Sequence, residues 1–339
     1  MKDNLYKISN FKDIDPFLMS ITSADNHWMY ISSSGCLSAG RQKAEHALFP
    51  YVTDDLLHRN AHFTGPITCI SIDIDNKKYS WQPFSNQIDN YKKNQNLYKN
   101  SLGNKIVFEE INHTIGLTFL YSWQASARYG FVKKTKLLNH SGKKLNIKLV
   151  DGLRNILPAG VSLRTQQEMS NLANAYKVSE CNSDYNYALY YMNALLMDKP
   201  DPGESLFSNI VWSHSSDNIE LSVNEKSIST FLFNNEFEED HLLKGKEGSF
   251  LNYIQKPLPS NDEMIWYIIA DVQKSQSDIS SIISELKDSD PIEKKLEKSL
   301  ADNYSAFEKN IGMADGFQCT EIEINDLHHT ANVTYNVLR

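Results

Sequence analysis

From residue 28 to about residue 272 the chain repeats with a period of two. Short runs of alternating apolar and polar side chains are broken by turn residues. Ile67-Thr68-Cys69-Ile70-Ser71-Ile72 is one such run, and residues 105–112, 116–123, 131–138, 144–151, 188–194, 218–223 and 264–270 give others. A strand sends successive side chains to opposite faces, so this alternation, rich in aromatic and β-branched residues, marks half-buried antiparallel strands. Residues 101–104 and 139–143 punctuate them as turns. So many strands with little helix between them predict a mainly β fold, a large two-sheet antiparallel supersandwich spanning residues 15–272.

The period changes at Ser275. Ile279, Ile282, Ile283 and Leu286 are spaced as on a helix, with Ser277 or Asp278 as cap. Pro291 suits the first turn of a second helix whose solvated face carries Lys294, Lys295, Glu297 and Lys298. The last fifteen residues open as another helix, capped by Asn325 or Asp326, with Leu327, Val333 and Val337 as an apolar stripe. Such a stripe needs a surface to pack on. Residues 275–339 are therefore read as a helical linker leading to a further domain, and the chain as the N-terminal part of a larger, truncated multidomain protein. Residues 164–178 fit a short helix or a crossing loop, and residues 200–203 form a loop around two prolines and a glycine.

Charge and cysteine usage narrow the partners. Lys and Arg total 34 against 42 Asp and Glu, a net charge of −8, which disfavours a general nucleic-acid binder. Cys36, Cys69, Cys181 and Cys319 are far apart and form no zinc-like pair, so they read as reduced cytosolic thiols. Residues 1–7 lack the apolar core of a secretory signal, and no apolar run reaches membrane-spanning length. A cytoplasmic protein with neither nucleic-acid nor membrane partners is expected.

The segment with most chemistry is residues 26–84. It contains Gly40-Arg41, Leu48-Phe49-Pro50-Tyr51, Thr53-Asp54-Asp55-Leu56-Leu57-His58-Arg59 and Tyr79-Ser80-Trp81-Gln82-Pro83-Phe84. Long ordered loops on a rigid sheet are where binding residues gather. This segment resembles the N-terminal β-sandwich of cellobiose phosphorylase-type glycoside phosphorylases. Ser80-Trp81-Gln82-Pro83-Phe84 is similar to that family's Trp-x-Pro element, and Leu56-Leu57-His58-Arg59 to its basic loop. The order of sandwich, helical linker and then an α/α-toroid catalytic domain fits too.

The resemblance implies a galactose mutarotase-like sandwich in a homodimeric enzyme. Such an enzyme cleaves an oligosaccharide or β-glucoside with inorganic phosphate as co-substrate and no cofactor. Its general acid and phosphate ligands lie in the toroid, so catalytic residues are unknown here. The sandwich itself is non-catalytic and gives packing, dimer contacts and a substrate-edge loop. Arg41, Tyr51, Asp54, Asp55 and Arg59 are the residues expected in that sugar-facing or interface loop, with Trp81 as a ring for sugar stacking.

Plainer readings stand beside these. Arg41 and Arg59 serve equally to tie the loop to Asp54 or Asp55, and Trp81 serves equally as a core residue. His58 and His62 are four apart in a loop-like sequence but have no third ligand, so no metal site is expected. Adjacent carboxylates such as Glu109 and Glu110 do not make a glycosidase pair, which needs two carboxyls across a bond. Residues 233–241 read as a solvated turn. Two other functions are compatible with a sandwich. A stand-alone sugar epimerase or mutarotase-like enzyme would draw on His113, His140, Glu109 and Glu168. A carbohydrate-binding module would draw on Tyr185, Tyr187, Tyr190 and Tyr191, although alternation sends Tyr187 and Tyr190 to opposite faces.

Overall fold

The computed structural model describes residues 5–74, 77–85, 90–194, 205–288, 291–314, 318 and 320–337, with side chains to residue 331. The loop expected at residues 200–203, Cys319, and the side chains of Val333 and Val337 lie outside the described residues.

Three antiparallel sheets carry the fold. The ten-stranded sheet runs, in spatial order, β1 (Leu5–Ile8), β8 (Lys93–Asn100), β9 (Ile106–Asn112), β10 (Leu117–Ser126), β11 (Gly130–Asn139), β19 (Glu263–Lys274), β15 (Ser208–Ser215), β14 (Tyr187–Met192), β13 (Lys177–Asn182) and β17 (Leu242–Lys244). The five-stranded sheet runs β16 (Glu220–Ser222), β18 (Gly248–Leu258), β12 (Leu145–Ile156), β6 (Gly65–Ile74) and β7 (Lys77–Trp81). A four-stranded meander holds β2 (Leu18–Ile21), β3 (His27–Ser32), β4 (Leu37–Arg41) and β5 (Ala47–Phe49). The mainly β architecture of large antiparallel sheets read from the alternation is observed; the four-stranded meander is a third sheet beside the expected two, and β1 lies upstream of residue 15.

Strand β19 shows how the layers form. Trp266, Ile268 and Ala270 enter the main core with Ile70, Ile147, Leu149, Phe250 and Ile254 of the five-stranded sheet. Tyr267 and Ile269, pointing the other way, meet Ile282 of α5 (Gln276–Lys287) and Ile292, Leu296 and Leu300 of α6 (Ile292–Ala314). Both faces of this strand are buried, so residues 264–270 are almost continuously apolar and do not alternate as the sequence reading has them. The helices thus cover the outer face of the ten-stranded sheet.

Several local expectations change. Residues 54–59, expected as a loop, form helix α1 (Asp54–Arg59). Asp54 and Asp55 sit in its first turn and His58 and Arg59 in its last, which suits the helix dipole at both ends. Residues 163–174 form two short helices, α2 (Leu163–Glu168) and α3 (Ser170–Asn174), before β13 begins. Helix α4 (Lys226–Asn234) packs Ile228 and Phe231 on the free face of the five-stranded sheet. Helix α5 is capped by Ser275, in a reciprocal box with Asp278, rather than by Ser277 or Asp278. Helix α7 (Glu323–Val337) starts ahead of Asn325 and Asp326, and Asp326 accepts a bond from the Thr320 backbone N–H at 2.8 Å instead of capping.

Candidate functional site

The four-stranded sheet sorts the residues singled out above by pleat parity. Its register sets Trp28 opposite Gly40, Tyr30 opposite Ser38, and His27 opposite Arg41. Trp28 and Tyr30 therefore share one face, while His27 and Arg41 share the other.

On the first face the aromatics cluster. Trp28 and Tyr30 have centroids 6.3 Å apart with planes inclined at 33°, and Tyr51 stands edge-on to Trp28 at 5.4 Å and 88°. Tyr30 is 38% and Tyr51 41% exposed, and Trp28 is half-buried. Gly40 lets the indole lie across β4: a Cβ there would fall 2.4 Å from Trp28 Cζ2. Helix α1 follows Tyr51 closely and packs beside β3. Asp54 meets His58 Nε2 at 3.3 Å, and Asp55 accepts from Thr53 Oγ1 at 2.6 Å and lies 3.9 Å from Arg59. The Thr53 bond holds the Asp55 carboxyl below its ordinary range. Asp54, Asp55 and Arg59 are thus exposed on the helix that follows Tyr51 and contacts β3.

On the second face Arg41 is committed elsewhere. Its Nη1 reaches both Asp271 oxygens, at 3.2 and 3.0 Å, and its Nε donates to Asn26 Oδ1 at 2.9 Å. Asp271 is buried and also pairs with Lys274. The expected tie of Arg41 to Asp54 or Asp55 is corrected: its partner is Asp271, on a strand 230 residues away in sequence. Arg41 lines a cavity of about 410 Å³ with Gln42 and Gln273, whose backbones are both left-handed (φ 63° and 54°). His27 lies beneath, its Nδ1 3.1 Å from Ser23 Oγ and its ring edge-on to Phe131. Burial, then Arg41 and Lys274, push its pKa down to about 3. The five expected loop residues therefore divide, with Tyr51, Asp54, Asp55 and Arg59 together and Arg41 apart.

Trp81 is a core residue. It is 1% exposed, edge-on to Phe119, and donates from Nε1 to Glu110 Oε1 at 2.7 Å. Its ring has no face open to a sugar, which corrects the stacking expectation. Glu110 is itself an anchor, accepting also from the Phe84 N–H and from Gln95, each at 2.6 Å. The groups an epimerase would need are dispersed. Glu109 accepts from Asn96 and Tyr98, His113 bonds Asn94, and Glu168 pairs with Arg164 on the exposed α2. Tyr190 is buried, with its hydroxyl on the Ser249 carbonyl, so the tyrosines of β14 form no continuous platform. Among the described residues no group of three His, Cys, Asp or Glu side chains is placed to hold a metal ion.

Trp28 and Tyr30 are the site residues that sequence reasoning passed over. Aromatics at i and i+2 on a strand read as core, and only their position opposite Gly40 and Ser38 hints otherwise.

No protein-family model matches the chain, and no curated protein matches it in sequence. Among solved structures it is similar to a bacterial glucoamylase complexed with acarbose, at 10% identity and a TM-score of 0.41, over 87% of this chain and 37% of that one. It is also similar to a polysaccharide lyase, at 8% identity and a TM-score of 0.43, over 77% of this chain and 34% of that one. A galactose mutarotase-like protein from Clostridium acetobutylicum aligns at 10% identity and a TM-score of 0.30, over 77% of this chain and 99% of that one. The chain spans about a third of the length of the first two. Scores and identities this low assign no family.

Proposed function

We propose that this chain is the N-terminal, non-catalytic sandwich portion of a carbohydrate-active enzyme of glycoside phosphorylase or hydrolase type. In this reading residues 15–272 form the sandwich unit and residues 275–339 lead to a helical catalytic domain. The Trp28–Tyr30–Tyr51 surface beside α1 is the edge that meets an oligosaccharide or β-glucoside. The observation that carries the reading is this half-exposed aromatic cluster, built over Gly40, with Asp54, Asp55 and Arg59 on the helix that follows Tyr51. Aromatic faces pack on the C–H surface of a pyranose, while carboxylates and guanidinium take its hydroxyls. The general acid and any phosphate ligands belong to the catalytic domain, as does turnover; homodimer contacts belong to the same proposal.

Tryptophan fluorescence tests it directly. Trp81, Trp123, Trp212 and Trp266 are fully buried, so Trp28 is the indole that answers to a ligand at the surface. Titration with β-gluco-oligosaccharides is expected to give a saturable change in emission that disappears in Trp28→Phe. Tyr51→Ala is expected to weaken binding about three- to tenfold, the worth of one aromatic contact. A flat titration across β-1,3-, β-1,4- and β-1,6-linked glucans would overturn the reading. Phosphate consumption and sugar 1-phosphate formation, measured with and without a downstream catalytic segment, then separate phosphorolysis from hydrolysis.

A further inference from the structure

Helix α7 leaves a groove of about 550 Å³ between itself, the edge strands β1 and β8, and strand β2. Strand pairing decides what the groove presents. Tyr6 stands opposite Lys99 and Ile8 opposite Leu97, so these four side chains share one pleat face. Leu97 is buried in the main core, which makes that face the inner one. Phe17 and Met19 at β2, Leu102 in the β8–β9 turn and Leu327 on α7 complete an apolar wall. Leu102 also packs with Phe307 and Ile311 of α6, which fixes the turn. Ile8 is nevertheless 40% exposed. Apolar surface left open in a concave site is where ligands bind.

Lys99 is the informative group. It is half-buried, and its head lies beside Gly103 and Thr22. Gly103 is left-handed, φ 74°, and a Cβ there would lie 3.5 Å from Lys99 Cε, 3.8 Å from its Nζ and 3.6 Å from Thr22 Oγ1. Elsewhere in the fold Lys133, Lys177, Lys256 and Lys274 each meet a carboxylate. Lys99 makes no hydrogen bond or ion pair among the described residues. An ammonium drawn onto apolar surface without a counter-ion leaves a charge to be answered. Burial lowers the Lys99 pKa, and no neighbouring charge opposes it. The acids at the start of α7, Glu323 and Asp326, act on Tyr6 instead, and Asp326 is taken up by Thr320.

The polar neighbours of Lys99 are already committed. Thr22 Oγ1 donates to the Leu102 carbonyl at 3.1 Å. Asn100 Nδ2 donates to Asn104 Oδ1 at 2.6 Å, and Asn100 Oδ1 accepts from the Lys105 N–H at 3.0 Å. Ser20 and His328 stand at the exposed rim. A sugar or a peptide backbone needs several donors and acceptors along its length, and this wall does not offer them. A single cation on otherwise apolar walls matches an alkyl chain that ends in one negative charge.

We propose that this groove binds a free, single-chain fatty carboxylate, with its carboxylate on Lys99 and its alkyl chain along Ile8, Phe17, Met19, Leu97 and Leu327. The volume suits one small ligand. The inference rests on strand register and on the lining of the groove, and does not depend on the aromatic surface around Trp28.

The test is calorimetric titration of the full chain at neutral pH with octanoate, decanoate and laurate below their micelle-forming concentrations, with dodecanol as the uncharged control. Affinity is expected to rise about fourfold for each added methylene. Lys99→Met keeps the bulk of the stem and removes the charge. It should not lower the melting temperature, because Lys99 has no partner to lose. It is expected to weaken laurate about ten- to a hundredfold, the worth of a hydrogen bond to a charged group, and to leave dodecanol unchanged. Ile8→Glu, at an exposed edge position, is expected to abolish laurate binding. The inference is overturned if laurate gives no saturable heat, if affinity is independent of chain length, or if Lys99→Met binds laurate like wild type. Binding to phosphatidylglycerol vesicles without binding of free laurate would assign the groove to a membrane. Self-association that Ile8→Glu abolishes, again without laurate binding, would assign it to a second copy. Either result overturns the inference equally.

Discussion

Lys133 Nζ lies 2.8 and 2.7 Å from the two carboxylate oxygens of Asp151, and neither side chain is exposed. The pair joins β11 of the ten-stranded sheet to β12 of the five-stranded sheet through the middle of the core. Asp151 also accepts from Thr68 Oγ1 at 2.6 Å and Trp266 Nε1 at 2.7 Å, so its lone pairs are well used. Burial pulls the Lys133 pKa down and Asp151 opposes the shift. Removing one partner strands the other charge in the core. Asp151→Asn or Lys133→Met alone is therefore expected to cost about 3–5 kcal/mol, and the double variant clearly less than the sum. Urea unfolding of the four proteins checks this, and additive costs would show that the pair acts as two unrelated groups.

His27 should make stability fall with acid earlier than carboxylates do. Its pKa drops from 6.5 to about 3 because burial, then Arg41 and Lys274, disfavour the charged ring. Ser23 and Phe131 complete its surroundings. The unfolded chain binds this proton at pH 6.5 and the folded chain does not, so the contribution is complete above that pH. It is lost steadily as pH falls toward 3, by about 1.4 kcal/mol per unit. The difference in stability between wild type and His27→Gln, followed from pH 7.5 to 4, is expected to shrink with that slope. A constant difference would place the titration elsewhere.

What could be read in the sequence follows from how each strand is buried. Strands β6, β9, β10 and β11 keep an alternating pattern and were legible. Strand β18 was not, because Phe250 and Ile254 face the main core while Leu251 and Tyr253 face α4, which erases the alternation. Ile210, Val211 and Trp212 of β15 are buried on both faces for the same reason. At the site, Tyr51 and Asp54 stay close because they are neighbours in sequence. The separation of Arg41 depends on strand register and on Asp271, and neither is local information.

Gly40 should be intolerant of any side chain. A Cβ at this position would meet the His46 carbonyl oxygen at 2.3 Å and Trp28 Cζ2 at 2.4 Å. The carbonyl belongs to the backbone of the β4–β5 connection and receives the Arg41 N–H at 2.9 Å, so it cannot retreat freely. Gly40→Ala is expected to cost about 1–3 kcal/mol and to shift Trp28 emission as the indole is lifted from the sheet. Adding Trp28→Ala should recover part of the loss. Unchanged emission in Gly40→Ala would mean that the strand, rather than the indole, gives way.

The hold of α6 on the ten-stranded sheet can be separated into polar and apolar parts. The Tyr267 hydroxyl lies 2.9 Å from carboxylate oxygens of both Glu293 and Glu297, offering one proton to two acceptors. Burial and these two bonds raise the Tyr267 pKa, so the phenol remains a donor. Burial works against ionisation of Glu297, but Lys134 and Tyr267 outweigh it and lower its pKa. That depressed value stabilises the fold above the ordinary 4.5 and ceases to do so as pH falls through it. Tyr267→Phe is expected to cost about 1–2 kcal/mol and to quicken amide exchange along α6 while that of β19 stays slow. Acidification to below the ordinary carboxylate range, far enough to protonate Glu297, should produce the same local loosening in wild type. If exchange along α6 in Tyr267→Phe matches wild type, the Tyr267 hydroxyl is dispensable, and Ile292, Leu296 and Leu300 hold the helix together with the Lys134–Glu297, Ser126–Ser299 and Asn303–Asp25 contacts.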